Sequence, residues 1–120
     1  MTARLGAVSI DSDEPGKLAR FYSELLDVPL VYETPDLVVL QTESLFITIE
    51  KIPDHQPPDW PSGPVPKQLH LDLFVDDLDD AEVFALSIGA RKPDTQPSPH
   101  KWRVLIDPSG HPFCVTLPPA

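Results

Sequence analysis

His70 and Asp72 stand two residues apart in Leu69-His70-Leu71-Asp72-Leu73-Phe74-Val75, a run in which every other residue is aliphatic. Side chains alternate between the faces of a strand. The run therefore predicts a core-facing side of Leu69, Leu71, Leu73 and Val75 and an opposite side of Gln68, His70, Asp72 and Phe74. On that polar side an imidazole can act as a general base, a ligand or a hydrogen-bonding wall. Asp72 lies ~6.6 Å further along the same face, so it partners His70 only where side chains or a water close the gap; otherwise the two balance charge. His70 and Asp72 are the candidate catalytic residues. The lone Cys114 is a nucleophile only if its pKa is lowered, and no Lys or Arg adjoins it in sequence. Without that, it behaves as a small buried hydrophobe.

The same alternation picks out further residues. Where Leu45, Ile47 and Ile49 face a core, Phe46, Thr48 and Glu50 face away; where Phe113, Val115 and Leu117 face a core, Cys114 and Thr116 face away. On the first strand the corresponding side carries Ala7 and Ser9. If these faces converge, one cavity holds Ser9, Phe46, Thr48, Glu50, His70, Asp72, Cys114 and Thr116. Trp60 and Trp102 could close over a ligand as flat apolar walls, with core packing or a dimer contact as the alternative for each. His111, next to Pro112, is expected to brace a turn. No Gly-rich phosphate loop, Cys-x-x-Cys pair or Gly-x-Ser-x-Gly elbow occurs in the sequence.

The elements that must carry these residues repeat. An apolar strand at Leu5–Asp11 leads into a helix begun by Asp13-Glu14-Pro15, where proline in the first turn loses no hydrogen bond. Leu18, Phe21, Tyr22, Leu25 and Leu26 form its buried stripe. Three short strands follow, at Leu30–Glu33, Leu37–Gln41 and Leu45–Lys51. Six of the fourteen residues from Pro53 to Pro66 are proline, which predicts a stiff, extended connection without regular structure. A second strand, Gln68–Val75, then feeds a helix capped by Asp77, with the stripe Leu78, Ala81, Ala85 and Ile88 and Gly89 as its stop. Strands near Arg91–Asp94, Lys101–Ile106 and Pro112–Leu117 complete it. Asp107-Pro108-Ser109-Gly110 has the order of a type I turn joining the last two. The repeat predicts an α+β domain of two βαβββ modules, residues 4–52 and 67–118, joined by the linker 53–66 with a pocket between their sheets.

Length and composition set bounds. A chain of 120 residues is one domain that buries about two-thirds of its unfolded surface. One cysteine excludes an internal disulfide and fits a reducing, cytoplasmic setting. No run nears the ~20 apolar residues of a membrane span, and no signal peptide is evident at Met1-Thr2-Ala3-Arg4. A net charge of -10 argues against nucleic acid and anionic membranes as partners.

Leu18-Ala19-Arg20-Phe21-Tyr22 with Leu25-Leu26, then His70 to Leu78, then Val104-Leu105-Ile106-Asp107-Pro108-Ser109-Gly110-His111-Pro112-Phe113, resemble in order and spacing the vicinal-oxygen-chelate superfamily. That superfamily includes glyoxalase I, extradiol dioxygenases and the bleomycin- and fosfomycin-resistance proteins. With Pro58-Asp59-Trp60-Pro61, the likeness is to its glyoxalase-like subgroup. The resemblance implies paired βαβββ modules curled into a cup around a divalent metal, with ligands from the first and last strands of each module. His70 stands at such a position. Gly6, Ala7 or Val8, and Phe46, fall at the first-module positions, and Cys114 replaces the usual glutamate. One imidazole and one thiol do not make a hard, oxygen-rich site, so no metal cofactor is expected; a set of His70, Glu50 and Asp72 is the alternative.

The function expected on these grounds is binding of a small organic molecule in the cup, by sequestration or by acid–base chemistry through His70, in a homodimer. A metal-dependent lyase, isomerase or dioxygenase using His70 with atypical ligands is the second expectation, and a non-catalytic dimeric interaction module the third.

Overall fold

A buried serine sets up the first helix. In the computed structural model, which describes residues 2–119, the Ser12 hydroxyl accepts a hydrogen bond from the Glu14 N–H at 2.9 Å. It ends strand β1 (Ala7–Ser12) and starts helix α1 (Pro15–Leu26), with proline in the first turn and Glu14 at the cap. The Glu14 side chain makes no cap hydrogen bond, so Ser12 supplies the polar contact that the sequence suggested for an acid. Leu18, Ala19, Phe21 and Tyr22 are buried, with the Phe21 and Tyr22 rings edge to face at 5.0 Å. Leu25 and Leu26 are half-buried, so the apolar stripe is shorter than its spacing predicts. Asp27 leaves the helix at φ 52°, a left-handed conformation that aspartate tolerates.

The chain divides into two compact units, one up to His55 and one from Gln56 onward. In the first, β2 (Leu30–Glu33), β3 (Leu37–Gln41) and β4 (Phe46–Lys51) join β1 in the order β1-β4-β3-β2. The β1–β4 pair is parallel and the others antiparallel. Val38, Leu40, Ile47 and Ile49 are buried on one side, with α1 packed on β3 and β4. Two threonines close the tight connections. Thr34 Oγ1 accepts from Leu37 N–H at 3.1 Å and Thr42 Oγ1 from Leu45 N–H at 3.1 Å, the hydroxyl standing in for a backbone turn acceptor. Leu5 lies outside β1 and is 69% exposed.

The second unit contains β5 (Leu71–Phe74), α2 (Leu78–Ser87), β6 (Trp102–Ile106) and β7 (Pro112–Thr116), with sheet order β5-β7-β6. Asp77 caps α2 as expected, its carboxylate accepting from Asp80 N–H at 2.9 Å, and Gly89 follows at φ 123°. Arg103 on β6 ties the sheet to α2 through Asp79 at 2.6 Å and Glu82 at 3.4 Å, while Lys92 reaches Glu82 at 3.0 Å. The hairpin turn is held by buried Asp107, whose carboxylate accepts from Ser109 and His111 N–H at 2.9 and 3.0 Å. Gly110 sits there at φ 92°, with Pro57 so close that a Cβ would meet it at 2.3 Å.

Three expectations are corrected in this unit. β5 begins at Leu71 rather than Gln68, and Leu69 is 86% exposed instead of facing the core. The segment from Asp59 to Pro66 is not simply extended: Asp59 Oδ2 accepts from Val65 N–H at 2.9 Å, and Gly63 closes the loop with positive φ against the Asp59 side chain. The strand expected at Arg91–Asp94 shrinks to one bridge between Arg91 and Ile106. Pro93 has no N–H to continue that ladder. Beyond it the Gln96 side chain takes over, its Nε2 donating to Val104 O at 2.9 Å and its Oε1 accepting from Val104 N–H at 2.9 Å.

Gln96→Ala strips a buried residue of both backbone partners, and unsatisfied groups cost about 1–3 kcal/mol. Urea unfolding should show a loss in that range with an unchanged m-value. No measurable loss would mean that water satisfies Val104 equally well.

Candidate functional site

The β5-β7-β6 sheet arranges its polar face in two rows. Register puts Asp72 opposite Cys114 and Cys114 opposite Val104; the next row runs Phe74, Thr116, Trp102. Leu71, Leu73, Phe113, Val115 and Leu105 alternate onto the other side, as period two requires. His70 precedes β5 and its Nε2 lies 3.1 Å from Asp72 Oδ1. The backbone spacing alone kept this pair apart; the side chains close it. One donor atom each from His70, Asp72 and Cys114 lies within 4.8 Å of the others.

With Asp72 accepting from the Nε2 hydrogen, Nδ1 is the imidazole nitrogen left for a ligand. Cys114 is 8% exposed. Burial pushes its thiol up to about 11, the Asp72 charge and hydrogen bond push the same way, and the Lys67 charge opposes them. Lys67 is the neighbour that sequence adjacency missed, and it loses to desolvation. Cys114 is therefore a protonated thiol at neutral pH. A rise from 9.0 to about 11 leaves roughly a hundredfold less thiolate. Iodoacetamide at pH 7.5 should modify Cys114 at least tenfold more slowly than a free cysteine peptide, with the rate climbing toward pH 11; labelling as fast as the peptide would show an activated thiol.

The remaining candidates fall into place by unit. Thr116 and Trp102 share the second row, and Thr116 Oγ1 is 3.4 Å from Lys101 O. Trp60 is half-buried in the loop closed by Asp59. In the first unit Ser9 stands beside Thr48, Ala7 beside Phe46 and Asp11 beside Glu50, all on the side away from buried Ile47 and Ile49. Each half of the predicted polar lining is thus assembled on its own sheet. A shallow concavity of about 290 Å³ lies elsewhere in the second unit, at the start of α2, lined by Asp76, Asp77, Asp79, His100 and Arg103 among others. The acidic run there gave a capping signal in sequence and no hint of a depression.

The residues do not fit a hard, octahedral metal bound in the manner of the resemblance. Ala7 and Phe46 face each other in register and neither carries a donor. Among the described residues, the donors that cluster are one nitrogen, one oxygen and one sulfur, from the residue just before β5, from β5 and from β7.

The profile of the glyoxalase-like domain matches residues 7–116. The chain belongs to that family. It is thereby a member of the vicinal-oxygen-chelate superfamily. Solved structures agree on the fold. A glyoxalase/bleomycin resistance protein/dioxygenase family enzyme from Burkholderia phytofirmans PsJN is similar with a TM-score of 0.73 and 19% identity, over 96% of this chain and 98% of that one. A glyoxalase-related enzyme from Fulvimarina pelagi gives 0.71 and 16%, over 97% and 88%. A lactoylglutathione lyase from Agrobacterium tumefaciens gives 0.62 and 16%, over 98% and 94%. No curated protein sequence matches the chain significantly. Among the described residues no helix of this glyoxalase-like protein is long and apolar enough to cross a membrane.

Proposed function

We propose that this glyoxalase-like protein binds a small organic molecule on the polar face of β5-β7-β6 and either sequesters it or moves a proton on it through His70. The observation that carries the reading is the 3.1 Å contact between His70 and Asp72, beside a row of Phe74, Thr116 and Trp102 on the same face. The His70–Asp72 pair, with two exposed aromatic side chains in the row beyond Asp72, offers a polar anchor and an apolar surface, the usual division of labour in a ligand site. Trp60, half-buried in the loop closed by Asp59, is a further ligand contact in this reading. Names borne by structural neighbours span lyase, resistance protein and dioxygenase, and one fold hosting several chemistries does not choose among them.

A thermal-shift screen of small organic acids, carbonyl compounds and aromatic drugs tests binding. Against any hit, His70→Ala should weaken affinity at least tenfold while costing about 1 kcal/mol of stability. Leu105→Ala, at a fully buried position, should cost about 2–5 kcal/mol and leave affinity near wild type in the folded fraction. Leu71 is only half-buried and makes a poorer comparison. If His70→Ala is as destabilising as Leu105→Ala and affinity is unchanged, His70 is a structural residue.

Assembly as a homodimer belongs to the same proposal. Light scattering at micromolar concentration should give twice the 13.3 kDa chain mass; the monomer mass would remove the dimer.

A further inference from the structure

We infer that His70, Asp72 and Cys114 form a binding site for a borderline-soft cation of the zinc type, one built on β5, β7 and the residue just before β5. The inference stands on these three side chains and not on the organic ligand proposed above. His70 brings an imidazole nitrogen, Asp72 a carboxylate oxygen and Cys114 a sulfur, all within 4.8 Å of one another. Zinc takes this mixture of donors in tetrahedral sites, with bonds that imply ligand-to-ligand separations of roughly 3.3–3.6 Å. The His70–Asp72 pair is already at 3.1 Å, so side-chain adjustments of about 1 Å complete the tripod.

The backbone fixes two of the three donors. Asp72 and Cys114 are direct partners in the parallel β5–β7 register, and His70 lies two residues before Asp72. A thiolate and an imidazole favour zinc, cobalt or copper, whereas magnesium, calcium and manganese prefer oxygen sets. On binding, the Cys114 S–H bond breaks and its proton passes to solvent, the His70 proton moves by exchange with water from Nε2 to Nδ1, and the sulfur and Nε2 lone pairs form the bonds to the ion. Three protein donors leave a fourth position open to water, the pattern of reactive rather than purely structural zinc sites. The imidazole then holds the ion, so proton transfer by His70 belongs to the metal-free protein.

The test uses the full chain stripped with a chelator and titrated with Co2+. Saturation at one ion per chain is expected, with a thiolate-to-cobalt charge-transfer band in the near ultraviolet, displaced by equimolar Zn2+ and not by Mg2+. Cys114→Ser should abolish the band. His70→Ala and Asp72→Ala should each weaken Zn2+ binding by roughly tenfold or more. Circular dichroism of every variant without metal confirms folding, and Cys114→Ala replaces the serine variant if that one misfolds. Absence of the band at excess Co2+, its survival in folded Cys114→Ser, or equal competition by Mg2+ would each overturn the inference. Because no organic ligand enters the experiment, its failure leaves the small-molecule reading intact.

Discussion

Parallel pairing of β5 with β7 decides what each side of the second unit contains. Leu71 lies opposite Phe113 and Asp72 opposite Cys114. A slip of one residue would turn Leu71 and Leu73 to the polar side and carry Asp72 inward. The fully buried Phe113 and nearly buried Val115 oppose that slip, because their apolar contacts would be lost and a carboxylate would be desolvated without a partner. The core therefore holds the register, and the register holds Asp72 beside Cys114. His70 needs no strand pairing of its own; its contact with Asp72 reaches across two residues of an already ordered backbone.

Where the ladder is incomplete, side chains replace it. Gln96 presents an amide to Val104 in the geometry of a neighbouring strand, and Asp107 satisfies two N–H groups of the hairpin turn. Both are polar side chains committed to backbone groups that would otherwise be unpaired. They serve the position of β6 and β7, which carry Trp102, Cys114 and Thr116. In the first unit, Thr34 and Thr42 do the same for β2, β3 and β4.

Local signals were legible in the sequence. Pro15 after an acid marked the start of α1, Asp77 the cap of α2, and Asp107-Pro108-Ser109-Gly110 the last turn, because each is decided by residues a few positions apart. The strand faces were legible too: Ile47 and Ile49 lie inward and Phe46, Thr48 and Glu50 outward, as period two demands. Each misreading has a partner as its cause. Leu69 has the aliphatic pattern of a strand, but pairing with β7 starts only at Leu71. Arg91–Asp94 has room for a strand, but Pro93 and the Gln96 side chain end its ladder. The proline-rich segment hides Asp59, whose grip on Val65 closes a loop that composition alone would leave extended. The first two turn on strands distant in sequence, β7 for Leu69 and β6 for Arg91, and the third on a side chain six residues from its partner.

The site departs from its superfamily for a reason that can be followed residue by residue. The resemblance implies donors shared between modules, and the first-module positions here carry Ala7 and Phe46, which can offer only surface. In the second module His70 stands at an implied ligand position and Cys114 in place of the implied glutamate, with Asp72 opposite Cys114 across the ladder. These donors come from β5, from β7 and from the residue just before β5. Their mutual geometry depends on the β5–β7 hydrogen bonds and on the packing of Phe113 and Val115 behind them. On the first unit, Ser9 beside Thr48 and Ala7 beside Phe46 make a separate face of small hydroxyls and one exposed ring, held by the β1–β4 register.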